Sequence, residues 1–520
     1  MNADPIALSV FLILFLVTAG LGFYASKMRK VDLTQLNEWG LGGRSFGSVI
    51  AWFLLGGDIY TAYTFVAVPA LMFGVGATGF FALPYAILIY PVLFVVFSRL
   101  WSVAHKRGYV TAADFVRGRF GNRWLSLAVA ATGIIATIPY IALQLMGLQI
   151  VFAGMGIQAD FYLPGYGVFH DLPLVIAFVV LAAYTYSSGL HGSAIVSVAK
   201  GILVFVAVIA AVIVIPIELG GYDKIFASVP PKMLLLGQGS ANDLGPGFSY
   251  ASLIIGSTLA VFLYPHALTG VLSSSSRRVI ERNALLLPLY SFSLALVAIL
   301  GYMALVANVK ENPAYAAGFK VFGNNFAIPA LFLHAFPPWF AGVAFAAIGI
   351  GALVPAAIMA ISCGNLFTRN IFREFIAPDC SSITESKVAK IMSLATKLAA
   401  LFFVVTLQSS YAINLQLLGG IWICQTLPSV MLALYSTRQL HPVGLLLGWL
   451  AGMAAGTWMA IELHFKGAIY VLHIFGVAVP CYAALSALAL NIVVAYGASF
   501  ICNLSPRAVR MDETLAEDYV

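Results

Sequence analysis

The stretch Phe53–Tyr63, FLLGGDIYTAY, decides the fold. It lies in an apolar run, yet it carries a glycine pair, two tyrosines, a threonine and a carboxylate. An acid at bilayer depth costs at least ~2.5 kcal/mol on insertion scales, so Asp58 reads as functional. Glycine is a weak helix former, and the pair Gly56–Gly57 predicts a break in the helix. In lipid, broken backbone is tolerated only where it is buried in protein or lines a cavity.

The rest of the chain supplies the membrane. Of 520 residues, 61% are hydrophobic and 9% charged, against roughly 25% charged in a soluble domain. Apolar runs of about 20 residues recur, each long enough to cross ~30 Å of hydrocarbon. The fold class is therefore an all-α polytopic membrane protein, since a barrel would show short alternating strands. About thirteen transmembrane helices are expected, at 5–25, 46–76, 79–103, 124–156, 172–188, 193–216, 247–274, 279–308, 339–368, 386–407, 410–435, 442–463 and 477–503.

The net charge of +7 is distributed by side of the membrane. With the N-terminus out, twenty of the 27 Lys and Arg fall on the inner side, among them Lys27, Arg29, Lys30, Arg107, Arg119 and Arg277. That asymmetry predicts an outer N-terminus and an inner C-terminus, and it leaves no need for a nucleic-acid partner. The leader MNADPIALSV has no basic residue, so the first span reads as retained rather than cleaved. Cys363, Cys380, Cys424, Cys481 and Cys502 show no metal-ligand spacing, and no cofactor is expected. No GxxxxGK[ST] stretch occurs, which argues against ATP-driven pumping and leaves ion gradients as the power source. The absence of HExxH, and of GxSxG on a span, argues against an enzyme.

A second interrupted run, AVFLYPHALTG at 260–270, lies five spans after the first. Proline removes a backbone donor there, and paired interruptions point to a transporter's midplane site. The spacing suits two five-helix units of opposite topology, 46–216 and 247–435. Residues 5–25 then form an extra helix, 442–503 two more, and 504–520 a short inner tail, all within one transporter domain. Asp58 lies about twelve residues into its span, ~18 Å deep at 1.5 Å per residue, and none of the other acids lies as deep. Tyr60, Thr61, Tyr63 and Thr64 place hydroxyls beyond it. Tyr140 and Gln144 share a helix face; Tyr264, His266 and Thr269 flank the second break; Trp422 and Gln425 add aromatic and polar groups on the eleventh span. Lys200 and Lys397 read as structural side chains snorkelling toward the inner face.

These stretches resemble the solute:sodium symporter family. The resemblance is carried by GGRSFGSVIAWFLLGGDIYTAYTF (42–65), PYIALQLMG (139–147), YTYSSGL (184–190), LYPHALTGVLSSSS (263–276), AFAAIGIGALVPAAIMAISCGNLFTRNIF (344–372) and LQLLGGIWICQTLPS (415–429). Within that family the chain is most similar to bacterial monocarboxylate permeases, which take up lactate and pyruvate. The resemblance implies a LeuT-like 5+5 inverted-repeat core in a bacterial inner membrane, with no obligate protein partner. It also implies a Na+ site built from the carbonyls of Gly56, Ile59 and Gly351, with Asp58 as the acid. Val354 and Pro355 stand where relatives carry paired hydroxyls, so both Na+ and H+ stand as coupling ions. Another small solute, such as acetate or proline, is the alternative cargo.

Overall fold

The computed structural model describes residues 4–28, 32–157, 161–163, 167–169, 172–406, 412–435, 440–504 and 512–520. Arg29 and Lys30, residues 407 and 410–411 at two expected span ends, and 505–511 of the tail lie outside the described residues. Among the described residues, nine helical runs are long and apolar enough to cross a bilayer, or ten if one bent pair counts as a crossing. The chain is thus a multi-pass membrane protein, but the expected spans are not thirteen separate helices. Ser48–Arg107 runs for 60 residues and Leu172–Glu218 for 47; a straight helix of 60 residues would measure ~90 Å, three times the hydrocarbon thickness. Both runs are therefore bent.

The elements that position the site are α1 (Pro5–Met28), α2 (Ser48–Ile59), α3 (Val68–Val75), α4 (Ser98–Arg107), α5 (Ala112–Phe120), α6 (Arg123–Gly154) and α7 (Leu172–Glu218). They continue with α8 (Gly245–Val261), α9 (Pro265–Leu272), α10 (Arg277–Val306), α11 (Pro338–Phe367), α12 (Ser382–Thr406), α13 (Ile413–Ile423), α14 (Pro442–Glu462) and α15 (Ala483–Asn503). α11 is the axis of the bundle. It is buried along its apolar length and packs against α1, α6, α7, α9 and α12. Its small residues, FAAIGIGALVPAA, let neighbouring backbones approach closely where lipid provides no hydrophobic drive between helices. The periphery is apolar instead, with Ile13 and Leu16 on α1 and Leu285, Leu289 and Phe292 on α10 facing outward.

The first interruption falls later than the glycine pair predicts. Gly56 and Gly57 are both inside α2, which ends at Ile59; Tyr60 (φ −85, ψ 87) leaves the helix, and a wider π turn over Tyr63–Ala67 leads into α3. The glycines serve close packing: a Cβ on Gly56 would sit 2.9 Å from the Tyr290 ring. The second interruption falls where expected, at Phe262–Tyr264, and bends α8 against α9 by 50°. The expected loop near residue 190 is a kink at Gly189 within α7. The span predicted from 477 begins as a strand: Val477–Tyr482 pairs antiparallel with Ile469–Ile474 through a turn with positive φ at Phe475 and Gly476. α15 starts only at Ala483.

The basic end of the bundle is held by ion pairs. Thr111 and Asp114 form a capping box at the start of α5, Arg117 pairs with Glu374 at 2.9 Å, and Arg373 with Glu385 at 2.8 Å. Residues 512–520 fold back on this surface. Asp518 meets Arg107 at 2.6 Å, Asp512 pairs with Arg119, and the Arg99 guanidinium lies over the Tyr519 ring.

Candidate functional site

Breaking α2 at residue 60 frees backbone groups that lipid would not satisfy, and polar side chains nearby meet that demand. The Ala62 amide donates to Gln144 Oε1 on α6 at 3.1 Å, and Gln144 Nε2 reaches the Thr61 hydroxyl at 3.4 Å. Thr61 Oγ1 also accepts from the Tyr63 amide at 3.0 Å. The Thr64 hydroxyl turns back to the Ile59 carbonyl at 2.5 Å. Tyr60 donates to the Tyr290 carbonyl at 2.8 Å and meets Ser293 on α10, away from the break. Thr61 and Thr64, expected from sequence as cavity hydroxyls, are therefore engaged in holding the break together, and the Tyr60 hydroxyl, expected likewise, is anchored on α10. Gln144→Ala would leave the Ala62 amide without its acceptor, which costs ~1–3 kcal/mol when buried; a lower melting temperature and slower transport are expected, read by thermal unfolding and uptake.

Asp58, in the last turn of α2, points across the bundle to α9. Its Oδ2 lies 3.3 Å from His266 Nε2, and both side chains are largely buried. The remaining polar atoms, Asp58 Oδ1 and His266 Nδ1, are buried without a hydrogen-bond partner among the described residues. Around His266 stand the rings of Tyr140, at 5.3 Å, and Tyr264, at 5.4 Å. The Tyr264 hydroxyl is taken by the Gln416 carbonyl at 2.9 Å, so Tyr264 contributes a ring face rather than a donor. Tyr63 packs edge-on against Tyr85, at 6.4 Å. Thr269 lies farther along α9, on a narrow cavity of about 20 Å³ that also meets Val110 and Thr111 at the basic end.

Two expected site residues are not brought to this place. Trp422 donates its indole N–H to Thr457 on α14 at 3.1 Å, and Gln425 bonds the Ile421 carbonyl at 2.9 Å while accepting from Asn491 on α15 at 3.2 Å. Both tie the core to the C-terminal helices. Gly351 does face the break, since a Cβ on it would lie 4.0 Å from the Tyr60 carbonyl oxygen. Val354 and Pro355, one turn on, are buried and offer no side-chain oxygen.

The lysines correct the sequence reading. Lys200 is fully buried and does not snorkel: its Nζ donates to the Gly57 carbonyl at 2.5 Å. Lys397 is buried as well, at 2% exposure. A lysine two turns inside a span carries either meaning in one dimension; only the meeting of residue 200 with residue 57 separates them.

The sequence profile of the Sodium:solute symporter family matches residues 39–452, most of the chain and both interrupted spans. The chain belongs to the sodium:solute symporter family. It is 48% identical over 491 residues to the "Monocarboxylate transport permease protein" of Rhizobium johnstonii (strain DSM 114642 / LMG 32736 / 3841), covering 94% of this chain and 95% of that one. It is 33% identical over 468 residues to "Uncharacterized symporter YodF" of Bacillus subtilis (strain 168), covering 86% and 87%. Among solved structures, a Na+-coupled sialic acid symporter in a substrate-bound outward-open state superposes with a TM-score of 0.73 at 16% identity, over 96% of this chain and 98% of that one. At that identity the likeness is one of fold. Sodium is the ion of the family's name, and membership identifies the chain as a membrane transporter of a small solute.

Proposed function

We propose that this symporter takes up small monocarboxylates, such as lactate or pyruvate, together with a cation, Na+ or H+, by alternating access. The observation that carries the reading is the Asp58–His266 pair, set between two interrupted helices with one polar atom on each residue left unpartnered. Buried polar atoms are nearly always bonded, so two orphans on one contacting pair fit a ligand or its water. The aromatic walls of Tyr140 and Tyr264 suit a short aliphatic body. The first-turn amides of α9, beside His266, suit its carboxylate. An anionic substrate beside Asp58 brings two negative charges together, which needs a cation in company. The substrate class rests on the relative that is 48% identical.

Asp58, Gly56, Ile59 and Gly351 form the proposed cation side, and Tyr140, Gln144, Tyr264 and His266 the substrate side, with Thr269 on the exit path. The two long runs and the bent pair support units 46–216 and 247–435 as opposed repeats within thirteen crossings. The basic loops support an inner C-terminus in a bacterial inner membrane. Uptake of radiolabelled pyruvate or lactate into proteoliposomes, under Na+ and pH gradients imposed separately, tests the reading. Accumulation under one of them is expected; accumulation under neither sinks it.

A further inference from the structure

We infer that the Lys200 ammonium is a tethered cation standing in the place of sodium, so that this chain carries its substrate without binding Na+. The inference rests on the transport reading above and concerns the cation half of that site.

The expected sodium position is bounded by the end of α2 and by α11, and on the α2 side the chain's own groups already engage its carbonyls. The Gly56 carbonyl accepts from the Tyr60 amide at 3.4 Å, the Gly57 carbonyl from Lys200 Nζ at 2.5 Å, and the Ile59 carbonyl from the Thr64 hydroxyl at 2.5 Å. α11 crosses here at Gly351, and one turn later it presents Val354 and Pro355, which add no oxygen. Sodium exchanges its water shell for several oxygens at once. A cage lacking two hydroxyls, with its α2 carbonyls each holding a donor of the chain, is a poor exchange for that shell. An ammonium needs no such cage, because it is delivered on a covalent stem and carries the same single charge.

A buried lysine is costly without a compensating charge. That charge is supplied by Asp58, one residue along from the Gly57 carbonyl that Lys200 holds. Of the elements packed on α7, α2 brings Asp58, with His266 of α9 behind it. α10 adds the Tyr290 hydroxyl, 3.7 Å from where a Cβ on Gly201 would sit. α11 has no ionisable side chain but Cys363, α6 none beyond Arg123 except Tyr140, and α1 only Tyr24 and Lys27 at its far end, while α12 carries Glu385, Lys387, Lys390 and Lys397, with Lys390 over the Tyr186 ring of α7. Glu38 is turned to His191 instead, at 3.6 Å.

Two measurements on the full-length protein decide it. In detergent, the melting temperature is expected to be the same in NaCl and in choline chloride at equal concentration, because a ligand that binds the native state raises it; a Na+-specific rise overturns the inference. In proteoliposomes, pyruvate counterflow is expected at equal rates in Na+ and choline for the wild type. Lys200→Met should lose at least ~tenfold of it, equivalent to ~1.4 kcal/mol, and added Na+ should not restore it. Lys200→Arg, which keeps the charge, should retain counterflow better than Lys200→Met. Counterflow that needs Na+, or a Lys200→Met variant that exchanges like wild type, overturns the inference. If the wild type exchanges no monocarboxylate at all, the transport reading fails, while the melting comparison still judges Lys200. If Lys200→Met does not fold, the wild-type comparisons stand alone.

Discussion

Asp58→Asn is expected to abolish gradient-driven accumulation of pyruvate or lactate, by tenfold or more, in protein that still reaches the membrane. The substitution keeps the size of the side chain and removes its charge. Asp58 Oδ2 lies 3.3 Å from His266 Nε2, and Asp58 is one residue from the Gly57 carbonyl that the buried Lys200 holds. Losing it takes the neighbouring carboxylate away from an ammonium held on the Gly57 carbonyl, and a buried charge left without compensation is destabilising. The expected signature is therefore double: no accumulation, and a lower melting temperature. Asp58→Glu restores the charge with one extra methylene and should recover part of both. Uptake and thermal unfolding of the three proteins side by side check this. An Asp58→Asn variant that concentrates substrate like the wild type removes Asp58 from the coupling machinery.

The sequence carried the membrane class, the interrupted pair of spans and the place of Asp58, because each rests on composition or on residue types that lipid tolerates only for a reason. Other assignments depended on direction. Tyr60, Thr61 and Thr64 follow Asp58 closely, but whether a hydroxyl lines a cavity or repairs broken backbone depends on the turn taken after Ile59. Trp422 and Gln425 sit on the expected helix and face α14 and α15, since a helix that is apolar all round gives no sign of which neighbour covers which face. The strand Val477–Tyr482 was hidden in the same way. Its apolar residues read as the start of a crossing, and only its pairing with Ile469–Ile474 separates strand from span.

Gly189→Ala is expected to lower stability by ~2–6 kcal/mol, the sum of backbone strain of ~1–3 kcal/mol and a clash of similar size. At φ 56 and ψ −144, Gly189 occupies a region that residues with a Cβ avoid. The added carbon would also lie 2.4 Å from the Trp39 carbonyl oxygen and 2.8 Å from its ring. Neither neighbour can yield easily. Trp39 is fully buried and its indole N–H donates to the Thr185 carbonyl at 3.2 Å, one turn before the kink, while Asn365 at the end of α11 holds the next residue through the Gly40 carbonyl at 3.1 Å. The kink also redirects the half of α7 that delivers Lys200 to Gly57. Thermal unfolding in detergent should show Gly189→Ala melting well below the wild type, whereas Gly20→Ala, with open space around its Cβ position, should melt with it. Equal melting of all three would mean that the kink is not what holds α7 in register with α2, and the placement of Lys200 would then need another cause.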